Sequence, residues 1–337
     1  MFFRNDWTVD LAFARRPAFV RRAAAGGTTA CLLAGVAALA AALAGNPDAR
    51  LWRTALLPER APTQYFLSAW PAGSSPAHAA IPASTSAADA APESAVLLLS
   101  RFLEQGYTLA RIRGDEAAVP RVLLNRLPTD MSQIESRDLR KNVFIKMLLP
   151  LLLVENERIG LDRERLLKVR ERVERREDLR GSDVDWLTDL AQRYAVPPAD
   201  LDELVRRVDA IPPSLALAQA ALETGWGTSR VAIRGHAMFG QMLFRQGGED
   251  LAAAVRTFDD LAAAVNAYAA NLNTHRAYAR FRTERAASRE RGEVLDGHEL
   301  AGHLRLYSER GMDYVRAVQV IIRANNLRPL DPARLAG

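Results

Sequence analysis

The chain has 337 residues, 49% of them hydrophobic and 25% charged, with a net charge of +5 and a single cysteine. That balance suits one large or two small globular domains, and the lone Cys31 excludes an intrachain disulfide framework. The positive charge is nearly all arginine, with lysine only at Lys141, Lys146 and Lys168. The arginines alternate with acids, as in the run from Arg170 to Glu177, the pattern of a solvated helix face rather than a nucleic-acid surface.

Residues 1–22 form a short basic segment with Arg15, Arg16, Arg21 and Arg22. Residues 23–45 follow without a charge, rich in Ala and Leu and long enough to cross a bilayer as a helix. The arginines before it predict a cytoplasmic start and an outward-facing remainder. A cleaved signal peptide is the rival reading, because Ala42-Leu-Ala44 fits a small-x-small cleavage site. A buried soluble helix is a third reading; either of the first two delivers the rest of the chain to the periplasm or cell exterior, anchored to the inner membrane in the first case and released in the second. Residues 46–94 read as a linker, dominated by Pro, Ala, Ser and Thr over Ala61–Glu93 and without periodicity. The Ala61–Glu93 stretch alone has a root-mean-square reach on the order of 30 Å.

Apolar content returns at Ala95, and residues 95–182 are expected to form a helical subdomain. Val96–Leu109 reads as a helix and Val119–Leu127 as an extended or irregular segment. Arg137–Arg158 reads as a helix kinked at Pro150, and Leu161–Leu179 as another, with its apolar positions at Leu166, Leu167, Val169 and Val173. Residues 183–337 form the next domain, opening with a helix pair over Asp183–Tyr194 and Pro198–Val208.

The central stretch starts at Pro212-Pro213, which suits a first helical turn. Helix formers then run from Ser214 to Glu223, nearly all Leu and Ala with one Gln. Gly225 and Gly227 mark the end, where a left-handed residue is expected. Glu223 therefore sits in the last turn of an apolar helix, beside Trp226. The negative pole of the helix and the removal of water by Leu and Ala both favour its protonated form. A raised pKa is what a general acid near neutrality needs.

Arg234–Gln241 reads as a loop. Met242–Thr257 looks short and helix-prone around Leu251–Val255. Phe258–Asn273 has a helical stripe at Leu261, Val265, Tyr268 and Leu272. Thr274–Tyr278 ends it, and Leu295–Leu306 and Tyr314–Asn325 are closing helices around the turn at Tyr307–Gly311. His236 has no partner at ligand spacing, so no metal is expected, and nothing calls for a cofactor.

Three blocks resemble one family. Ala220-Ala-Leu-Glu-Thr-Gly-Trp-Gly-Thr-Ser229 with Met238-Phe-Gly-Gln241, then Asn271-Leu-Asn-Thr-His-Arg-Ala-Tyr278, then Tyr307-Ser-Glu-Arg-Gly311 resemble bacterial peptidoglycan N-acetylglucosaminidases, nearest the membrane-attached Bax-type subgroup. The resemblance implies a mainly α, lysozyme-like glucosaminidase domain from about Val96 to the C-terminus. It implies Glu223 as the catalytic acid and a cleft-lining Tyr278 needed for activity. Trp226, Phe239, Gln241, Asn273, His275 and Tyr307 become candidate substrate contacts. Family members often place two Asn where this chain has His236-Ala237, which puts polar contacts there in question. The family's lobe over the cleft often holds a second carboxylate, for which Glu249, Asp250 and Asp259 are the candidates here.

Glycan hydrolysis needs a proton donor to the leaving oxygen and a means of stabilising an oxocarbenium-like centre. The second role falls to another carboxylate or to the substrate's own acetamido group. The resulting expectation is a hydrolase of the β-1,4 bond after N-acetylglucosamine in peptidoglycan strands, with no nucleic-acid partner. A non-catalytic wall-binding protein on the same fold and a cell-wall amidase are the alternatives.

Overall fold

A computed structural model describes residues 94–244 and 253–337. The expected basic segment, membrane span and nearly all of the linker lie outside these residues. Among the described residues, no helix is long and apolar enough to cross a membrane.

The architecture is mainly α. In chain order come α1 (Ala95–Glu104), α2 (Leu109–Arg113), α3 (Arg137–Glu174), α4 (Gly181–Arg193), α5 (Leu201–Arg207), α6 (Pro213–Thr224) and α7 (Arg230–Gly235). A small hairpin of β1 (Met242–Phe244) and β2 (Ala253–Val255) follows, then α8 (Leu261–Thr274), α9 (Ala279–Glu290), α10 (Gly297–Ala301) and α11 (Met312–Ala324). The hydrophobic core draws on residues from Ala95 to Leu335. Within it the extended segment at Val119 meets the C-terminus: Val119 N donates to Arg334 O and Ala336 N to Val119 O, each at 2.8 Å.

Helix α6 is the centre. It packs against α3, α10 and α11, and every residue from Pro213 to Ala221 is buried. A helix enclosed in this way carries no polar stripe, which is why its sequence is mostly Leu and Ala. Its N-terminus is clamped by Asp331, which accepts from Ser214 N and Ser214 Oγ at 2.8 Å and from Gly297 N at 2.9 Å. A Cβ on Gly297 would lie 2.6 Å from Leu215 N, so α10 can approach this closely only with glycine there.

Several expected boundaries move. Arg137–Arg158 and Leu161–Leu179 are one helix, α3, running through Pro150 and Gly160 to Glu174. No capping residue separates them, and the junction is held by Arg158, paired with Glu155 at 2.6 Å and Asp162 at 3.5 Å. The helix-prone reading of Leu251–Val255 is corrected for the part described: Ala253–Val255 pair antiparallel with Met242–Phe244, Met242 opposite Val255. Alanine's helix propensity is a few tenths of a kcal/mol per residue, and ladder pairing overrides it. Leu295–Leu306 shortens to α10, started by Asp296, which accepts from His298 N and Glu299 N.

Helix α9 has no apolar stripe to announce it, because arginines are its inward residues. Arg285 is fully buried and donates to the carbonyls of Asp209, Ala210 and Arg206 and to Asn273 Oδ1, at 2.8–3.1 Å. Asp209 is also buried and faces Arg285, Arg163 and Arg289. Burial alone would raise the Asp209 carboxyl, but Arg285, then Arg163 and Arg289, outweigh it and hold it below its usual range. Removing one member of such a cluster strands the rest, so Asp209→Ala is expected to destabilise the fold by about 3–5 kcal/mol in urea titrations near neutrality. A group with a depressed folded pKa gives its full stabilisation above its unfolded value of about 3.9. The difference between wild type and variant is thus constant at neutral pH and closes as the pH falls below about 4.

Candidate active site

Glu223 lies half-buried in the last turn of α6. The helix stops because Gly225 takes the left-handed conformation, φ 58° and ψ 45°, and its N–H returns to Ala221 O. Trp226 and Gly227 continue with φ 61° and 79°. Three successive left-handed residues turn the chain sharply, and a Trp held there is strained backbone fixed by its packing. The Trp226 ring meets Phe144 of α3 edge-on, centroids 5.7 Å apart, and Lys141 Nζ lies 5.4 Å from its centroid. A Cβ on Gly227 would sit 3.0 Å from Phe144 Cδ2, so the turn is pressed against α3.

The loop after α7 closes over the same helix end. His236, itself left-handed, caps α7, and its Nδ1 lies 2.8 Å from Phe258 O. Gly240 then passes directly over the Glu223 carboxyl. A Cβ at position 240 would lie 2.9 Å from Glu223 Cδ, closer still to Oε2, and Gly240 has φ 62°. Burial raises the Glu223 carboxyl above its ordinary range, while the Tyr314 hydroxyl and the charge of the exposed Arg310 pull downward without cancelling it.

A row of aromatic side chains leads away from the carboxyl. Tyr307 stacks on Tyr314 at 5.4 Å, Tyr278 lies 5.9 Å from Tyr307, and His275 lies 5.7 Å from Tyr278. Tyr307 Oη donates to Phe239 O at 2.8 Å. Burial pushes the Tyr278 phenol up to about 12, against a smaller opposing effect of Asn271, so it keeps its proton at physiological pH. Burial, helped by Arg276 and Arg282, lowers the His275 imidazole and favours its neutral form.

The sequence-predicted residues thus divide. Glu223, Tyr307 and Tyr278 belong to one connected row, with His275 at its far end, and Trp226 flanks Glu223 in the chain. Phe239 and Asn273 lie inside the packing. Phe239 is stacked on Tyr268 at 4.0 Å; Asn273 bridges Asp209 O and Arg285. Gln241 Nε2 donates to Ala267 O at 3.1 Å, and its Oε1 is buried with no hydrogen-bond partner among the described residues. Of the possible second carboxylates, Asp259 is exposed, while Glu249 and Asp250 lie outside the described residues. The neighbouring Asp260 is committed as the cap of α8, accepting from Ala263 N at 2.7 Å. Among the described residues, no group of His, Cys, Asp and Glu could hold a metal ion. A cavity of about 360 Å³ opens at the other end of α6, beside Pro212 and Arg289. The Asp331 carboxylate on its wall is already taken up by the α6 clamp.

Sequence reasoning missed Gln219 and Tyr314. Gln219 is the single carboxamide in an otherwise apolar helix, one turn before Glu223, and that isolation was the available signal. Tyr314 had none beyond its place in the first turn of a closing helix.

Residues 199–327 match the glucosaminidase family model, described as mannosyl-glycoprotein endo-beta-N-acetylglucosaminidase. The chain carries a glucosaminidase-family domain. The Protein bax of Escherichia coli (strain K12) is 29% identical to it over 194 residues, which is 55% of this chain and 69% of that protein. No solved structure matches it. The matched segment spans α6 with Glu223, the Gly240 loop and the row of tyrosines, and the family domain supports a glycoside-hydrolase-like enzyme.

Gly240→Ala tests how tightly the glucosaminidase domain encloses Glu223. The new methyl displaces the carboxyl and strains a left-handed backbone, so glycoside hydrolysis should fall by roughly 100-fold. Reducing ends released per unit time measure this, and a melt of the same preparation reports whether the fold survives.

Proposed function

We propose that this chain is a peptidoglycan hydrolase that cleaves the β-1,4 bond after N-acetylglucosamine, with Glu223 as general acid. The observation that carries the reading is a carboxyl in the last turn of an enclosed helix, raised by burial and covered by the Gly240 backbone. Such a group holds its proton to higher pH than a solvated glutamate and delivers it where a leaving oxygen can be placed. Family membership supplies the reaction class, and the likeness to Protein bax is consistent with a bacterial cell-wall glycan as substrate.

In this reading the domain has a lysozyme-like arrangement in which α6 presents the acid. The buried Tyr278, neutral and set between Tyr307 and His275 in the aromatic row, positions the acetamido group or the attacking water through its hydroxyl. Trp226 and Tyr307 flank the sugar-binding cleft, with His275 at its edge, and Gln241 contributes its free acceptor. The second catalytic function is either a carboxylate of the hairpin region or the substrate's own acetamido group. We also infer that residues 23–45 tether the enzyme to the inner membrane and that the domain works in the periplasm.

Glu223→Gln preserves size and removes the acidic proton. Release of new reducing ends from purified sacculi by the full chain should drop at least about 1,000-fold, and mass spectrometry of wild-type products should show N-acetylglucosamine at the new reducing end. Undiminished activity in the variant would remove Glu223 from the mechanism.

A further inference from the structure

Behind Glu223 lies a chain of polar groups sealed from solvent. Gln219, one turn earlier on α6, is fully buried, as are Tyr268 of α8 and Tyr314 of α11. Tyr268 Oη donates to Gln219 Oε1 at 2.7 Å, and Gln219 Nε2 donates to Tyr314 Oη at 2.8 Å. Gln219 and Glu223 lie one turn apart on one face of α6, so the Tyr314 hydroxyl that Gln219 holds faces the Glu223 carboxyl and pulls its titration downward.

The direction of this chain follows from what each group can do. A carboxamide oxygen only accepts, so Tyr268 must spend its proton on Gln219 Oε1. The carboxamide nitrogen only donates, so Tyr314 Oη must accept from it. A phenol has one proton, and that of Tyr314 is left with Glu223 as its remaining partner. The rings cannot swing away to alter this. Phe239 is stacked on Tyr268 at 4.0 Å and Tyr307 on Tyr314 at 5.4 Å, and the Tyr307 hydroxyl ties the two stacks together through Phe239 O at 2.8 Å.

We propose that Tyr314 is a positioning residue for Glu223, its single proton aimed at the carboxyl by Gln219 and Tyr268, so that the acid is held in one orientation and its developing negative charge meets a ready donor. The inference rests on the reading of Glu223 as the acid. A half-buried glutamate at the negative pole of a helix has little to stabilise it once its proton has gone to the leaving group. A donor already in place supplies that stabilisation without reorganisation. It also keeps burial from raising the carboxyl so far that the acid becomes too weak to deliver its proton.

Two further groups act on Glu223 besides Tyr314. The segment before α11 brings Arg310 and Tyr307. Of the helices packed against α6, α3 carries Lys141, engaged over the Trp226 ring, and α10 carries His298, which lies 2.8 Å from Arg323 near the other end of α6. All remain in place when only the Tyr314 hydroxyl is deleted.

The test uses the full chain as wild type and as Tyr314→Phe. Two readouts are followed: the pH dependence of sacculus hydrolysis, and infrared titration of the Glu223 carboxyl, assigned by its loss in Glu223→Gln. Losing a bond to the charged form is expected to move the carboxyl titration, and the alkaline limb of kcat with it, up by about one pH unit or more. The same loss should lower kcat roughly 10- to 100-fold while KM changes little. A titration that stays in place, or moves down, overturns the proposal; a downward movement means that Tyr314 accepts from protonated Glu223 instead. Should Tyr314→Phe not fold, Gln219→Met decides, because it frees the Tyr314 hydroxyl to rotate and should move both readouts upward by less. An active Glu223→Gln would defeat the assignment of the acid, while the carboxyl titration would still settle the Tyr314 bond.

Discussion

The enclosure of α6 is the constraint from which the site follows. With α3, α10 and α11 around it, the helix cannot turn about its axis without burying a mismatch on every side, since interiors are packed at crystal-like density. Its two ends are fixed by different chemistry. Asp331 gathers the free N–H groups at the start, and a left-handed glycine stops the helix one residue past Thr224. Glu223 therefore leaves the helix at a set height and a set azimuth. The remaining freedom is in its side-chain torsions, and Gly240 and Tyr314 close around those.

The basic composition has a structural use that weakens any inference about partners. Many arginines answer main-chain carbonyls at helix ends instead of facing solvent. Arg163 donates to Val205 O and Val208 O, where α5 finishes, and Arg282 donates to Leu272 O and His275 O, where α8 finishes. Arg207 bridges Tyr194 O after α4 and Thr274 O at the end of α8. A planar guanidinium with five donors can serve several unpaired carbonyls at once and favours the negative pole of each helix, which an ammonium point charge does less well. That preference matches a chain with so few lysines, and it places part of the positive charge inside the fold.

Legibility in the sequence followed the same logic. The start, end and acid of α6 were readable because Pro, Gly and an isolated carboxylate act through local backbone chemistry. Helices with an apolar stripe, such as α8 and α11, were also readable to within a few residues. Helix α9 was not, because Arg282 and Arg285 point inward and reverse the usual sign of the pattern. The strand pair was misread because each strand depends on its partner for its conformation, whereas Ala253-Ala-Val255 alone favours helix. Within the site, Glu223 was predictable from its own surroundings. Tyr314 becomes meaningful only once α11 is laid against α6, and Gln219 only once its two carboxamide atoms are seen to face different tyrosines. Phe239 and Asn273 lie close in sequence to site residues but are turned into the packing.

The contrast between Glu223 and the fold's other sequestered acids supports a division of labour. Glu155 is held by Arg158 at 2.6 Å and Asn266 Nδ2 at 3.2 Å, and Asp209 by a surrounding set of guanidinium groups. Around Asp209 such partners hold the carboxyl below its usual range, and in both places the acid serves cohesion. Glu223 is met instead by a neutral phenol and by the charge of an exposed arginine, which solvent screens. A hydroxyl stabilises the ionised carboxyl enough to make proton release possible, yet leaves the protonated form accessible. On the proposed reading of Glu223 as the acid, an arginine in the same place would hold the carboxyl in its charged form, whereas a neutral donor leaves it a proton to deliver.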